Sequence, residues 1–205
     1  MAQQIIMDAG PGLNFFSIHQ ERLLIRTVGA LSIPETVRDE IVRKSRIDSR
    51  FEAAEGVLKK LPEHLLAVLS DAPTDDLNAV VSRIAGIPME ERRLTGKDLG
   101  ELMVIAHAVV AAEAGHEVTV LIDDGAGREF AVLEINRIRR LKMRGTPGIG
   151  GIALLSTPTV LRRAAGLGHI ADRAQMRELY ERLRTLDDGL VPLEGTDLMR
   201  LECWR

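Results

Sequence analysis

Cysteine is almost missing from this 205-residue chain. Cys203 stands alone, so neither an intrachain disulfide nor a multi-cysteine zinc site can form. Aromatic residues make up only 3%, too few for the base-stacking platform of an RNA-recognition sheet. No apolar run approaches the ~20 residues of a membrane span. The opening MAQQIIMDAG lacks the basic stretch and apolar core of a secretory signal. The expectation is a cytoplasmic protein with no membrane partner. A large excess of one charge is lacking too: the formal net charge is -3 and the pI near 6.0. Any nucleic acid must therefore be held by local patches rather than by a global basic field. Internal repeats and low-complexity segments are absent.

What is present is 45% hydrophobic residues, enough for one well-cored domain with a small appendage. QIIMD at 4–8 reads as a short buried strand ending on a carboxylate, broken by GPG at 10–12 and followed by helices at about 13–19 and 21–28. ALSIP returns to strand character. Ser32 and Glu35 then have capping-box spacing, with Pro34 in the first turn, predicting a helix over about 34–44. Residues 45–62 are helical in composition, HLLAVLS at 64–70 reads as a strand, and TDDLNAVVSRIAG opens with a cap and closes on Gly86. The helix that follows to about 114 is apolar nearly all round, which predicts burial on more than one side.

VTVLIDD then gives a strand over 117–123, with a helix at 127–137 and RRLKMRG as an edge strand. GIGGIALLSTPTVLRRAAGLG and ADRAQMRELYERLRTL read as helices. Alternation of strands and helices predicts an α/β protein with a mainly parallel sheet and helices on both faces. Its expected extent is residues 1–150, with 151–205 as a helical extension packed on it.

The acids carry the chemistry. Carboxyl ends of parallel strands share one edge, where ligands bind, and Asp8 and the adjacent pair Asp123 and Asp124 all end strands. Glu101 lies in the first turn of the helix leading into strand 117–123, on a stripe with Ile105, Ala108 and Ala112. Glu40 lies beside the inward stripe of its own helix. Like charges so close together raise each other's pKa and cost stability, a cost a divalent cation would remove. Hard ions such as Mg²⁺ and Mn²⁺ select carboxylate oxygens, and the histidines at 19, 64, 107, 116 and 169 show no metal-ligand spacing. His107 reads as a satisfied core histidine.

Each acid also has a structural reading. Glu101 suits a helix N-terminus, Asp8 and Asp123 could cap turns, and Glu40 could pair with Lys44 or Arg43. A cation at this edge would activate water and offset charge on a phosphate, with Glu40 or Glu101 orienting the water. Arg128 and the run Arg137, Arg139, Arg140, Lys142 and Arg144 are candidates to hold flanking phosphates. The run would equally serve as charged guards of an edge strand.

The blocks IIMDAGPGLNFFSIHQERLL, LSIPETVRDEI, DLGELMVIAHA, VTVLIDDGAGREFA and RGTPGIGGIALL occur in an order that resembles the PIN-domain ribonucleases, over roughly residues 4–155. The resemblance is to the standalone prokaryotic branch. It implies a three-layer α/β/α sandwich and a Mg²⁺- or Mn²⁺-dependent endoribonuclease, a hydrolase that cuts phosphodiester bonds of single-stranded RNA. The site residues it implies are Asp8, Glu40, Glu101 and Asp123 or Asp124, with Asp8, Glu101, Asp123 and Asp124 as metal ligands. In that family the third acid directly follows glycine, as Glu101 follows Gly100, which disfavours Asp98. Where relatives carry a hydroxyl after the first acid this chain has Ala9 and Gly10, so that ligand-orienting role is vacant or passes to Asn14. Further expectations are an antitoxin partner, if the chain is the toxin of a toxin-antitoxin pair, and a homodimer.

The alternative is an interaction protein that keeps the fold without the activity and uses GIGGIALL and the C-terminal helices to bind a partner. A nucleotide-binding reading of DAGPG is weak, because Phe15 stands where a further glycine is needed.

Overall fold

The computed structural model describes residues 4–123 and 125–204. Five parallel strands form one sheet in the order β3-β2-β1-β4-β5: β1 Gln4–Met7, β2 Leu31–Pro34, β3 Leu66–Leu69, β4 Glu117–Leu121 and β5 Gly151–Leu155. Central β1 pairs Gln4 with Val118 through Met7 with Leu121 on one side and Ile6 with Ser32 on the other. Among the described residues ten α-helices accompany the strands: α1 Ala9–Ser17, α2 Glu21–Val28, α3 Glu35–Ile47, α4 Glu52–Lys60, α5 Asp75–Ala85, α6 Met89–Arg93, α7 Leu99–Glu113, α8 Gly125–Met143, α9 Thr157–Gly166 and α10 Arg173–Leu186. The architecture is a three-layer α/β/α sandwich. From central β1 the chain runs outward to β2 and β3, then crosses back to β4 and β5 on the other side of β1.

Helix α7 packs against β1, β2, β4 and β5 and against α3, α5 and α8. This is why its buried residues, Leu102 through Ala106 and then Ala108, Val109 and Ala112, surround the whole helix. Helix α5 is capped as its sequence predicts: Leu77 N donates to Thr74 Oγ1, and Gly86 ends the helix in the left-handed conformation. The C-terminal helices share the same core, with Val160, Leu161, Ala164, Tyr180 and Leu183 packed into it. No described helix is long and apolar enough to cross a membrane.

Four local expectations are corrected. GIALL at 151–155 is not helical. It is β5, paired with β4 from Glu117–Gly151 to Leu121–Leu155, so a boundary at 150 would cut a strand from its sheet. Five apolar residues carry too little periodicity to separate a buried strand from a helix. RRLKMRG is not an edge strand: through Met143 it continues α8, whose buried stripe Ala131, Ile135, Ile138 keeps helical spacing past 137. The helix expected from about 13 begins at Ala9 and includes GPG, because Asp8 caps α1 and places Pro11 in its first turn, where a missing N–H costs nothing. Ser32 belongs to β2 and makes no capping box; Glu35 instead accepts a hydrogen bond from Asp71 N.

Candidate active site

Strands β1 and β4 are neighbours whose connections depart in opposite directions, and a crevice opens beyond their carboxyl ends at such a switch point. Here it is a cleft of about 950 Å³. Asp8 N donates to Leu121 O, continuing the ladder one residue past β1, and the Asp8 side chain then caps α1 by accepting from Gly10 N at 3.4 Å. That bond is long, and the other oxygen, Oδ1, is buried with no hydrogen-bond partner. Asp8 is 5% exposed. Burial pushes its carboxyl up to about 6, the Ala9 amide draws it back, and the nearby Glu40 charge raises it again.

Asp71, which follows β3, shows what a satisfied acid at this sheet edge looks like. Its Oδ2 accepts from Thr36 N at 2.7 Å and Thr36 Oγ1 at 2.6 Å, while His107 Nε2 lies 2.8 Å from Oδ1. Burial would raise this carboxyl, but the hydrogen bonds from His107 and Thr36 outweigh it and hold the group below the usual range. His107 is thus a partnered core histidine. Asp8 has no such arrangement.

Asp123 lies between these cases. Thr157 at the start of α9 donates its amide to Oδ1 at 2.6 Å and its hydroxyl to Oδ2. Asp123 therefore anchors α9 while also lining the cleft. Burial pushes its carboxyl above the usual range, the two Thr157 bonds oppose this, and Asp187 raises it further while Arg128 lowers it.

Glu40 and Glu101 reach the cleft because glycines let their elements close up. A Cβ on Gly100 would stand 2.7 Å from Glu40 Oε2, and one on Gly127 would stand 3.0 Å from Glu101 Oε2. Glu40 also holds the Lys44 ammonium at 2.8 Å, the pairing expected of it as a structural acid. Asp98, in left-handed backbone ahead of α7, lines the same cleft. Asp124 lies outside the described residues. Among those described, no group of three or more His, Cys, Asp or Glu side chains stands in a metal-holding arrangement.

The basic run is placed elsewhere. Arg139, Arg140 and Lys142 lie on the exposed surface of α8, Arg144 follows it, and none lines the cleft. Lys142 pairs with Glu117 at 3.0 Å, and Arg137 is tied to Glu134 and Glu113. With α8 a helix, the run guards no strand edge. Arg128 is exposed near the cleft and acts electrostatically on Asp123.

Arg50, Lys97 and Asp187 escaped the sequence reading, and Arg43 and Lys44 entered it only as partners of Glu40. The cations that line the cleft are Arg43, Lys44, Arg50 and Lys97. Asp187, just beyond α10, also enters it and accepts from Asn14 Nδ2 at 2.8 Å. A signal for Asp187 existed: LDDG at 186–189 repeats the pattern of IDDG at 122–125.

Compared with protein-family models, characterised proteins and solved structures, the chain has no match.

Proposed function

We propose that the chain is a divalent-metal-dependent endoribonuclease that hydrolyses phosphodiester bonds of single-stranded RNA in the switch-point cleft. The observation that carries this reading is Asp8. Its carboxyl is almost fully buried, its Oδ1 has no partner and Glu40 acts on it as a like charge, a cost in stability that the single long capping bond from Gly10 N offsets only in part. Hard cations take such oxygens, and the donor set here is carboxylate throughout, which fits Mg²⁺ or Mn²⁺. Asp8, Glu101 and Asp123, together with Asp124, would hold the ion. When bound it would supply activated water and charge neutralisation at a phosphate. The protein's own contributions are separate: Asn14 orients Asp187, Lys44 fixes Glu40 beside Asp8, and Arg43 and Lys97 present cations at the cleft for phosphates.

Millimolar Mn²⁺ is expected to raise the thermal midpoint of the metal-free protein, because a ligand that binds only the folded state stabilises it by about 2.7 kcal/mol at a hundredfold excess over Kd. Melting curves and calorimetric titration read this directly, beside cleavage of an unstructured RNA. An unmoved midpoint with no heat of binding would leave the second reading, a non-catalytic interaction protein. One observation favours that alternative: Asp123 already has both oxygens engaged by Thr157.

The placement of the cations gives a further expectation. Replacing Arg43 and Lys97 together by Gln should weaken RNA binding and flatten its dependence on salt by about 1.4 log units per log unit, at ~0.7 per lost phosphate contact on a single strand. The same change at Arg139 and Arg140 should leave the slope as it is. Binding isotherms at several salt concentrations compare the two variants, and a slope that responds to the α8 pair instead would move the RNA path out of the cleft.

A further inference from the structure

We infer that Arg50 is a stacking platform for a nucleobase of the bound strand, set in the wall of the cleft and distinct in its task from Arg43 and Lys97. The inference rests on reading the cleft as a single-stranded RNA site.

Arg50 belongs to the 3₁₀ turn Ser49–Phe51 that joins α3 to α4, and both Arg50 and Phe51 line the cleft. Asp48 caps this turn by accepting from Arg50 N at 3.0 Å. That cap needs only the backbone, yet the guanidinium is held as well. Its Nε donates to Asp48 Oδ1 at 3.2 Å and Oδ2 at 3.1 Å, and Nη2 donates to Oδ2 at 2.7 Å. From the end of α10, Leu186 O accepts from Nη1 at 3.5 Å. Phe51 backs the group: the guanidinium carbon stands 5.2 Å from the centre of its ring, and the ring is buried in the core.

These partners take up part of the donor edge of the guanidinium and one of its faces. The side chain nonetheless remains 49% exposed, which leaves the opposite face toward the cleft. Such a group is a poor phosphate clamp, because Asp48 already answers its charge. It is a good planar surface, since unpaired RNA bases stack on aromatic rings and on arginine guanidinium planes alike. Holding it in place beforehand removes the ordering cost that a free arginine would meet on binding. Ile47, 70% exposed, adds an apolar side chain to the same lining. In a chain with only 3% aromatic residues, an arginine backed by a buried phenylalanine supplies the stacking surface that the aromatic count denies.

The test is binding of a short unstructured RNA, and of an abasic strand of the same length, to the full chain carrying Asp8→Asn so that the RNA stays whole, at several salt concentrations. Cleavage by wild type in Mn²⁺ is followed separately. Arg50→Lys keeps the charge and loses the plane, so it is expected to weaken binding of the base-bearing RNA roughly tenfold while abasic binding and the salt slope stay as they are. Arg50→Tyr keeps a plane and loses the charge, and should retain most of the preference for the base-bearing strand. If Arg50→Lys binds both strands as its parent does, Arg50 is only a strap between the turn and α10. If Arg50→Tyr flattens the salt slope and weakens both strands equally, Arg50 is a phosphate contact. Either result overturns the platform and leaves the nuclease reading intact, as does a parent that binds the two strands equally. Should Arg50→Lys melt lower than its parent, Arg50→Tyr decides: a retained preference for bases supports stacking, and a lost one overturns it. A wild type that cuts no RNA overturns the nuclease reading instead, while a base preference that depends on Arg50 would still support the platform.

Discussion

Asp8→Asn is expected to reduce RNA cleavage by at least roughly a thousandfold and, in the metal-free protein, to melt at a temperature equal to or above that of wild type. The two effects share one cause. A carboxyl whose ordinary value is 3.8 is pushed up to about 6 in the folded state, chiefly by burial. For an acid whose folded pKa is raised, the native state penalises ionisation. That penalty is fully present above about pH 6 and disappears as pH falls from about 6 toward 4. A shift of about two pKa units corresponds to roughly 3 kcal/mol at neutral pH, an upper bound on what the neutral amide regains, since its N–H₂ must find its own partners. The stability gap between variant and wild type should therefore be largest near pH 7 and close toward pH 4. Chemical denaturation across that range measures it. A variant that is less stable at pH 7, or a gap that does not depend on pH, would show that the Asp8 carboxylate is a structural cap.

Asp123→Ala should have the opposite effect on stability. It removes the acceptor for both the amide and the hydroxyl of Thr157 at the start of α9, leaving buried donors unsatisfied at about 1–3 kcal/mol. Loss of the anchor at that helix start adds to this. For a chain of this size that is a fall in midpoint of about 5–10 °C, together with loss of cleavage. Cleavage should be lost in both variants, with the midpoints moving in opposite directions. The pair of melting curves is the check, and an Asp123→Ala protein as stable as wild type would mean that α9 docks without this contact. Because Asp123 performs two tasks, lost activity in its variant is weaker support for a metal site than the same loss at Asp8.

The two acids differ in how far their surroundings could be read from the residues. QIIMD and VTVLIDD announce strands whose last residues are carboxylates, and in a parallel sheet every strand ends at the same edge. Convergence of Asp8 and Asp123 thus follows from local pattern plus one topological rule. The all-round apolar character of α7, the cap and C-terminal glycine of α5, and the pairing of Glu40 with Lys44 were legible for the same reason: periodicity and near-neighbour spacing encode them. GIALL was not legible. Five apolar residues fit a strand or a buried helix equally, and only the free edge of β4 selects the strand. Nor was the length of α8, because RRLKMRG lacks the alternation that would distinguish an exposed helix end from a charged edge strand.

The cleft itself belongs to tertiary structure. That Arg43 and Lys97 line it while the richer basic run of α8 does not, that Gly100 admits the Glu40 carboxylate against α7, and that Asp123 supports α9 are outcomes of how elements pack. The longest reach is from Asn14 to Asp187, one in the first helix and the other beyond the last. Local spacing constrains residues a few positions apart, whereas burying a shared core decides which distant segments meet. The kinds of acid available were therefore written along the chain, while which of them were left buried and unpartnered was decided by the packing of α1, α3, α7 and α10 around one sheet edge.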